Sequence, residues 1–202
     1  MRRPASILAL AAAAVLGAAL AHASVSVGQP APAFKVKDTN GKEQSLAAFK
    51  GKFVVLEWVN PGCPFVQKHY ETSNMQSTQK AADAKGVVWL TVSSTAPDQG
   101  DYVKPTALSS WLKEKGAAPT ATLMDEDGKI GKAYGARTTP HMYIINPEGK
   151  LVYAGAIDSK ATARKDDVKS ATNYVTAALN EAIAGKPVSK ATSEPYGCSI
   201  KY

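Results

Sequence analysis

The sequence is short of cysteine, with two in 202 residues, Cys63 and Cys198. Two are too few for the disulfide framework of a small secreted domain. Nor do they form a local C-x-x-C pair, because Val66 stands three positions after Cys63. Histidine is nearly as scarce, at three. No C-x-x-C, C-x-x-x-C or H-x-x-x-H spacing occurs, and those are the short spacings from which metal sites are commonly built. There is no Gly-rich phosphate loop, HExxH or GxSxG. Nothing therefore points to a nucleotide, flavin or haem, and no cofactor is expected. The net charge of +7 comes from scattered lysines. With no basic stripe and no interleaved aromatics, it reads as solubility and not as nucleic-acid binding. Internal repeats and long low-complexity stretches are also absent.

One apolar run stands out. Arg2 and Arg3 precede an alanine- and leucine-rich stretch from Ile7 to Leu20, and Ala21-His22-Ala23 follows. A basic start, an apolar middle and a small-x-small end describe a secretory signal peptide over residues 1–23. The run is shorter than the roughly 20 residues of a membrane-spanning helix, the alternative being an uncleaved anchor. The expected product is an exported protein, periplasmic or secreted, with no membrane attachment after cleavage. Losing Arg2 and Arg3 would take the net charge from +7 to +5. The remaining chain is long enough for one domain with a substantial core. We place that domain at 24–186 and a tail at 187–202.

Residues 53–59 and 87–92 are apolar on both faces and read as central buried strands. Between them a helix is expected from Pro64 to about Lys85, broken near Ser73-Asn74. Ser45–Phe49 suits one helical turn, Thr106–Lys115 a helix and Ala121–Asp125 a short strand, with a turn at Glu126-Asp127-Gly128. Residues 142–145 and 151–156 flank Asn146-Pro147-Glu148-Gly149 and form a hairpin. A last helix is expected over Ala171–Ala184, ended by Gly185 and Pro187. The tail, ending YGCSIKY, reads as a flexible loop. Parallel crossovers followed by a hairpin describe a mixed α/β sheet with helices on both faces. Trp58 and Trp89 fall in strands and read as packing residues.

Cys63 falls where a buried strand gives way to a helix. Pro64 suits the first helical position, where its missing N–H costs nothing. That puts Cys63 at the N-cap, where unpaired N–H groups and the helix dipole stabilise an anion. A thiolate there is a competent nucleophile. The alternative is an inert buried cysteine. The stretches FVVLEWV, NPGCPFV and TTPHMYIINPEGKLVYAG, with the opening GQPAPAFKVKDTNGKEQSLAAFKGK, resemble the thioredoxin superfamily. The likeness is to its secreted redoxin and thiol-specific-antioxidant branch, which is peroxiredoxin-like, over residues 27–185. The resemblance implies a thioredoxin-like fold with an N-terminal extension and a C-terminal tail, and a thiol–disulfide oxidoreductase.

On that resemblance Cys63 is the attacking cysteine. Thr139-Pro140 is the loop whose cis proline faces it, and the Thr139 backbone would bind a substrate chain. Glu57 stands where thioredoxins keep a buried acid. A buried carboxyl without a cation has a raised pKa and can pass protons; the alternative is an ion pair with a lysine. The implied partners are protein or small-molecule thiols and disulfides, with peroxides as a further candidate. The sequence departs from peroxiredoxins at Leu56 and Asn60, where those enzymes carry Pro and Thr or Ser. Cys198 would resolve the disulfide that Cys63 forms; the alternative is a permanent staple. His141, directly after Pro140, is expected near Cys63, orienting substrate or stabilising the thiolate. The competing readings are a copper or zinc site of Cys63, His141 and Cys198, or a non-catalytic binding protein on the same fold, with Cys63–Cys198 as a structural disulfide. His69 would face elsewhere on its helix, and Arg137 reads as a solvated loop charge.

Overall fold

The computed structural model describes residues 25–202. The signal-like segment 1–23 lies outside the described residues. A short N-terminal hairpin, β1 (Lys35–Lys37) and β2 (Glu43–Ser45), precedes a 3-10 turn at Leu46–Phe49. Three parallel strands follow: β3 (Val54–Trp58), β4 (Val88–Ser93) and β5 (Ala121–Met124). The two-residue β6 (Thr138–Thr139) leads through Pro140 into the hairpin of β7 (His141–Ile145) and β8 (Leu151–Gly155). The central sheet has the order β5-β4-β3-β7-β8, with β7 antiparallel to β3. Every residue of β3, β4 and β7 is buried. This is why these stretches read as continuous apolar runs and not as alternating ones.

The sheet divides the core in two. Against one face lie α1 (Pro64–Glu71), α2 (Asn74–Asp83) and α3 (Pro105–Glu114). They pack Val66, Tyr70, Met75, Leu108 and Leu112 on Val55, Val59, Met142 and Ile144. Against the other face, α4 (Lys129–Tyr134) and the N-terminal segment pack Ile130, Tyr134 and Phe34 on Val54, Leu56, Trp58 and Tyr143. α5 (Tyr174–Ile183) joins the first face through Val175 and Leu179. The mixed sheet with helices on both faces is the arrangement the sequence implies.

The helix after Cys63 breaks where the sequence places the break, into two helices divided at Ser73, whose φ of 58° is left-handed. Three elements differ from the expectation. α5 begins three residues later than expected because the Asn173 side chain accepts the Thr176 N–H at 2.9 Å and caps it. α4 was not foreseen. Its six residues, KIGKAY, are too short to show a helical period, and Gly128 and Gly135 close it at both ends in left-handed conformation. The tail is not a flexible loop: β9 (Cys198–Ser199) pairs antiparallel with β6, Thr139 opposite Cys198.

Ser73 is exposed, makes no capping hydrogen bond through its side chain and sits in a conformation that costs an L-residue roughly 1–2 kcal/mol. Against this, glycine loses about 0.5–1 kcal/mol more backbone entropy on folding. Ser73→Gly is therefore expected to raise stability by up to about 1 kcal/mol, read as a higher urea midpoint with an unchanged slope.

Candidate active site

Cys63 is the N-cap of α1, with φ −81° and ψ 121° in the extended region, and Pro64 occupies the first helical position. The chain reaches it from β3 through a tight turn. Asn60 holds that turn, its side-chain oxygen accepting the Gly62 N–H at 2.9 Å. The Asn60 amide in turn donates to Thr95 Oγ1 at 3.3 Å and to the Asp101 carbonyl at 3.0 Å. The Thr139–Pro140 bond is cis. The Thr139 carbonyl oxygen lies 3.1 Å from Cys63 Sγ, so the reduced thiol has an acceptor in place. The Thr139 hydroxyl is buried and has no hydrogen-bond partner among the described residues. Cys63 itself is 2% exposed.

Cys63 is joined to Cys198 in a disulfide, with their Cα atoms 5.9 Å apart. The tail runs to this point along a tied path. Ala191 and Ser193 exchange backbone hydrogen bonds with Ala154 at 3.1 and 3.2 Å. The Ile200 N–H donates to the Arg137 carbonyl at 3.0 Å, and the Tyr202 hydroxyl donates to the Ala136 carbonyl at 2.5 Å. Gly197, at φ +141°, crosses so close to Thr139 that a side chain there would overlap the Thr139 carbonyl oxygen. Beside the disulfide is a cavity of about 90 Å³ lined by Asn60, Gly62, Thr95, Asp101, Thr139 and Ile200.

Glu57 is fully buried in β3. Its four hydrogen-bond donors are uncharged: Tyr70 Oη at 2.7 Å, Trp89 Nε1 at 2.7 Å, Gln79 Nε2 at 3.2 Å and Thr91 Oγ1 at 3.4 Å. Burial raises its pKa above the usual carboxylate range, and the four hydrogen bonds only partly oppose this. The lysine ion pair considered from the sequence is not what holds it. Trp89 serves this carboxylate besides packing, a role sequence reasoning missed. Trp58 is the packing residue expected, with its ring nitrogen on Ser94 Oγ at 2.9 Å.

His141 corrects an expectation. Its ring stacks on Tyr143, centroids 4.5 Å apart, within the face packed by α4. Cys63 belongs to the opposite face. Side chains alternate along a strand, so with Met142 and Ile144 toward α1, His141 must point away. The imidazole is thus not brought to the thiol. Burial, then the nearby Arg137, lowers its pKa to about 3. A Cys63/His141/Cys198 metal site does not assemble, and among the described residues no group of three or more His, Cys, Asp or Glu could hold a metal. Arg137 is largely exposed and pairs with Glu194 at 2.9 Å.

A second cluster on α1 was not visible in the sequence. Lys68, His69 and Asp158 are all buried. Lys68 Nζ lies 3.5 Å from Asp158 Oδ2 and donates to the Lys160 carbonyl at 2.8 Å. Tyr196, two residues before Cys198, brings its hydroxyl into this cluster, donating to Asp158 Oδ1 and lying 3.1 Å from His69 Nε2. Burial, and secondarily Lys68, lowers the His69 pKa to about 4 although Asp158 opposes this.

The AhpC/TSA family profile matches residues 27–154. The chain belongs to the AhpC/TSA family. Among curated relatives of this AhpC/TSA member is the thiol-disulfide oxidoreductase ResA of Bacillus subtilis. It is 31% identical over 129 residues, 64% of this chain and 66% of that protein. A crystal structure of a hypothetical protein from Sinorhizobium meliloti matches with a TM-score of 0.78 and 25% identity, over 89% of this chain and 96% of that one. The thioredoxin domain of a thiol-disulfide oxidoreductase from Bacteroides vulgatus matches with a TM-score of 0.52 and 25% identity, over 73% and 98%. The fold is therefore thioredoxin-like, as the motifs imply.

Two pH effects follow. The folded pKa of Glu57 is raised, so its contribution to stability is full below its unfolded value and is lost as pH rises through the folded one. Glu57→Gln removes this loss. Its stability relative to the parent should rise between pH 4.5 and pH 7 in urea unfolding. The folded pKa of His69 is depressed, so its contribution is full above pH 6.5 and lost as pH falls through about 4. His69→Gln should therefore show a flatter loss of stability between pH 6.5 and pH 4, measured by thermal unfolding.

Proposed function

We propose that the protein is an exported thiol–disulfide oxidoreductase in which Cys63 attacks and Cys198 resolves. The observation that carries this is the placement of Cys198. It sits opposite Thr139 in the β6–β9 pair, bonded to a cysteine at a helix start. A helix N-terminus favours the thiolate form of Cys63 once the bond is reduced. Export rests on the signal-like residues 1–23.

The cycle uses two exchanges. The Cys63 thiolate attacks a substrate disulfide, forms a mixed disulfide and releases one substrate thiolate. The Cys198 thiolate then attacks the Cys63 sulfur, closes Cys63–Cys198 and releases the second. An external dithiol, or two thiols in succession, reduces that bond for the next turn and leaves as a disulfide. Glu57, buried and with a raised pKa, is the group suited to hold and pass the protons these steps exchange. The Thr139 backbone would pair with a substrate strand, and the tail occupies the same edge in the disulfide form. Tail and substrate strand therefore alternate there. His141 is left out of the binding set because its ring faces the other side of the sheet.

The relative named a thiol-disulfide oxidoreductase supports this class of partner, protein or small-molecule disulfides. Peroxide as a substrate gains nothing from Asn60, whose amide is already spent on Thr95 and Asp101. The tail is tied along its length, which favours a second reading, a permanent staple. Redox titration against glutathione, followed by thiol labelling, separates the two. A couple well above about −300 mV is expected, and a bond reduced only at far lower potentials is a staple. Cys63→Ser should abolish disulfide exchange. Cys198→Ser should accumulate a Cys63–glutathione mixed disulfide and slow turnover by about 100-fold or more, because an intramolecular attack is lost. Mass spectrometry of the trapped adduct checks the latter.

A further inference from the structure

The tail reaches Cys63 through one side chain that the chemistry above leaves unused. Tyr196 turns inward between Phe65, ring centroids 5.8 Å apart, and Lys68, whose Nζ is 5.3 Å from its ring. Its hydroxyl enters a cluster where the hydrogen-bond directions are fixed. The Asn74 amide nitrogen, 2.8 Å from His69 Nδ1, can only donate there. With the low pKa keeping the ring neutral, His69 carries its proton on Nε2 and donates it to the Tyr196 oxygen at 3.1 Å. Tyr196 in turn donates to Asp158 Oδ1. The phenol is thus bound as both acceptor and donor, by groups that are themselves buried and held. One residue on, Gly197 lies against the Thr139 carbonyl, and the next residue is Cys198.

We propose that Tyr196 is a positioning residue for the thiol–disulfide step: its hydroxyl, seated among Lys68, His69 and Asp158, latches the Cys198 strand onto Thr139 so that Cys198 meets Cys63. The proposal rests on the redox-pair reading above. In the resolving step the Cys198 thiolate attacks the Cys63 sulfur of a Cys63–glutathione disulfide. The Cys63–Cys198 bond forms, the bond to glutathione breaks, and glutathione leaves as the thiolate with the electron pair. The latch changes none of this chemistry. It raises the effective concentration of Cys198 at Cys63 by holding the tail in the bound geometry. A phenol donating to a buried carboxylate is a charge-assisted hydrogen bond and among the stronger ones. Losing it should cut that effective concentration by about ten-fold or more.

The test is the equilibrium of the full-length mature protein with reduced and oxidised glutathione, for the parent, Tyr196→Phe and Gly197→Ala. Phenylalanine keeps the ring against Phe65 and Lys68 and removes only the hydroxyl. The constant for closing Cys63–Cys198 should fall about ten-fold or more in Tyr196→Phe, and the rate at which Cys198 expels glutathione from Cys63 should fall with it. Gly197→Ala attacks the same docking from the Thr139 side and should shift both in the same direction. It also stands in for the test if Tyr196→Phe does not fold. Hydrogen exchange of the reduced proteins separates a latch from general destabilisation: a shifted constant with exchange speeded only along residues 191–202 supports the latch, and exchange speeded equally through β3, β4 and β7 overturns it. A parent that behaves as a redox couple, with a Tyr196→Phe constant equal to it, overturns the latch and leaves the oxidoreductase reading standing. A parent bond that glutathione cannot reduce overturns the redox reading itself.

Discussion

The bond between Cys63 and Cys198 joins the start of α1 to the end of the chain across a sequence separation of 135. In the chain-entropy model a closure of that length stabilises the folded state by up to about 5 kcal/mol. The bond can form only where three other conditions are met. The Thr139–Pro140 loop must present its backbone edge, the tail must lie on that edge, and residue 197 must have no side chain. The tail's last residue is seated in the same way. The ring of Tyr202 lies so close to Gly128 and Gly131 that a side chain at either would overlap it. The unforeseen α4 is therefore part of the tail's bed.

Several charged side chains are buried in the interior. Glu57 is fully buried on hydrogen bonds alone. Asp125, also buried, accepts the Ile130 and Gly131 N–H groups at 3.0 and 2.8 Å. Lys68 and Asp158 face each other out of water. Desolvation makes such groups poor sources of net stability, and well-packed apolar residues in their place are often no less stable. What they supply is direction. Each fixes where a hydroxyl or N–H must point, and for Lys68, His69 and Asp158 the hydroxyl belongs to the tail.

How much of this was legible depended on distance along the chain. The helix start at Cys63 was readable because Pro64, the preceding apolar strand and the position of the thiol are local. Burial of Glu57 followed from a strand apolar on both sides. The facing of His141 was also readable: once Met142 and Ile144 are given to the core against α1, strand parity sends His141 the other way. Adjacency to Pro140 suggested nearness to the thiol, and parity overrides adjacency. The Lys68–His69–Asp158–Tyr196 cluster was not readable. Its members are separated by up to 128 residues and come together only when the tail folds back. The strand character of the tail was hidden for the same reason. Cys198–Ser199 has no alternation to detect, and its pairing partner is itself only two residues long.

Docking of the tail and the strength of the disulfide are not separate quantities. Closing Cys63–Cys198 from the reduced protein requires the tail to be where β9 places it. Whatever free energy holds it there without the bond is added to the equilibrium constant for closure, and so to the reduction potential. A tail tied at Ala154, Thr139, Arg137 and Ala136 lowers the potential and moves the bond toward a staple. A tail that leaves easily raises it and frees the Thr139 edge for a substrate strand. The redox pair and the staple are thus two ends of one scale. The contacts along residues 191–202 set where this protein stands on it, and the cysteines alone do not.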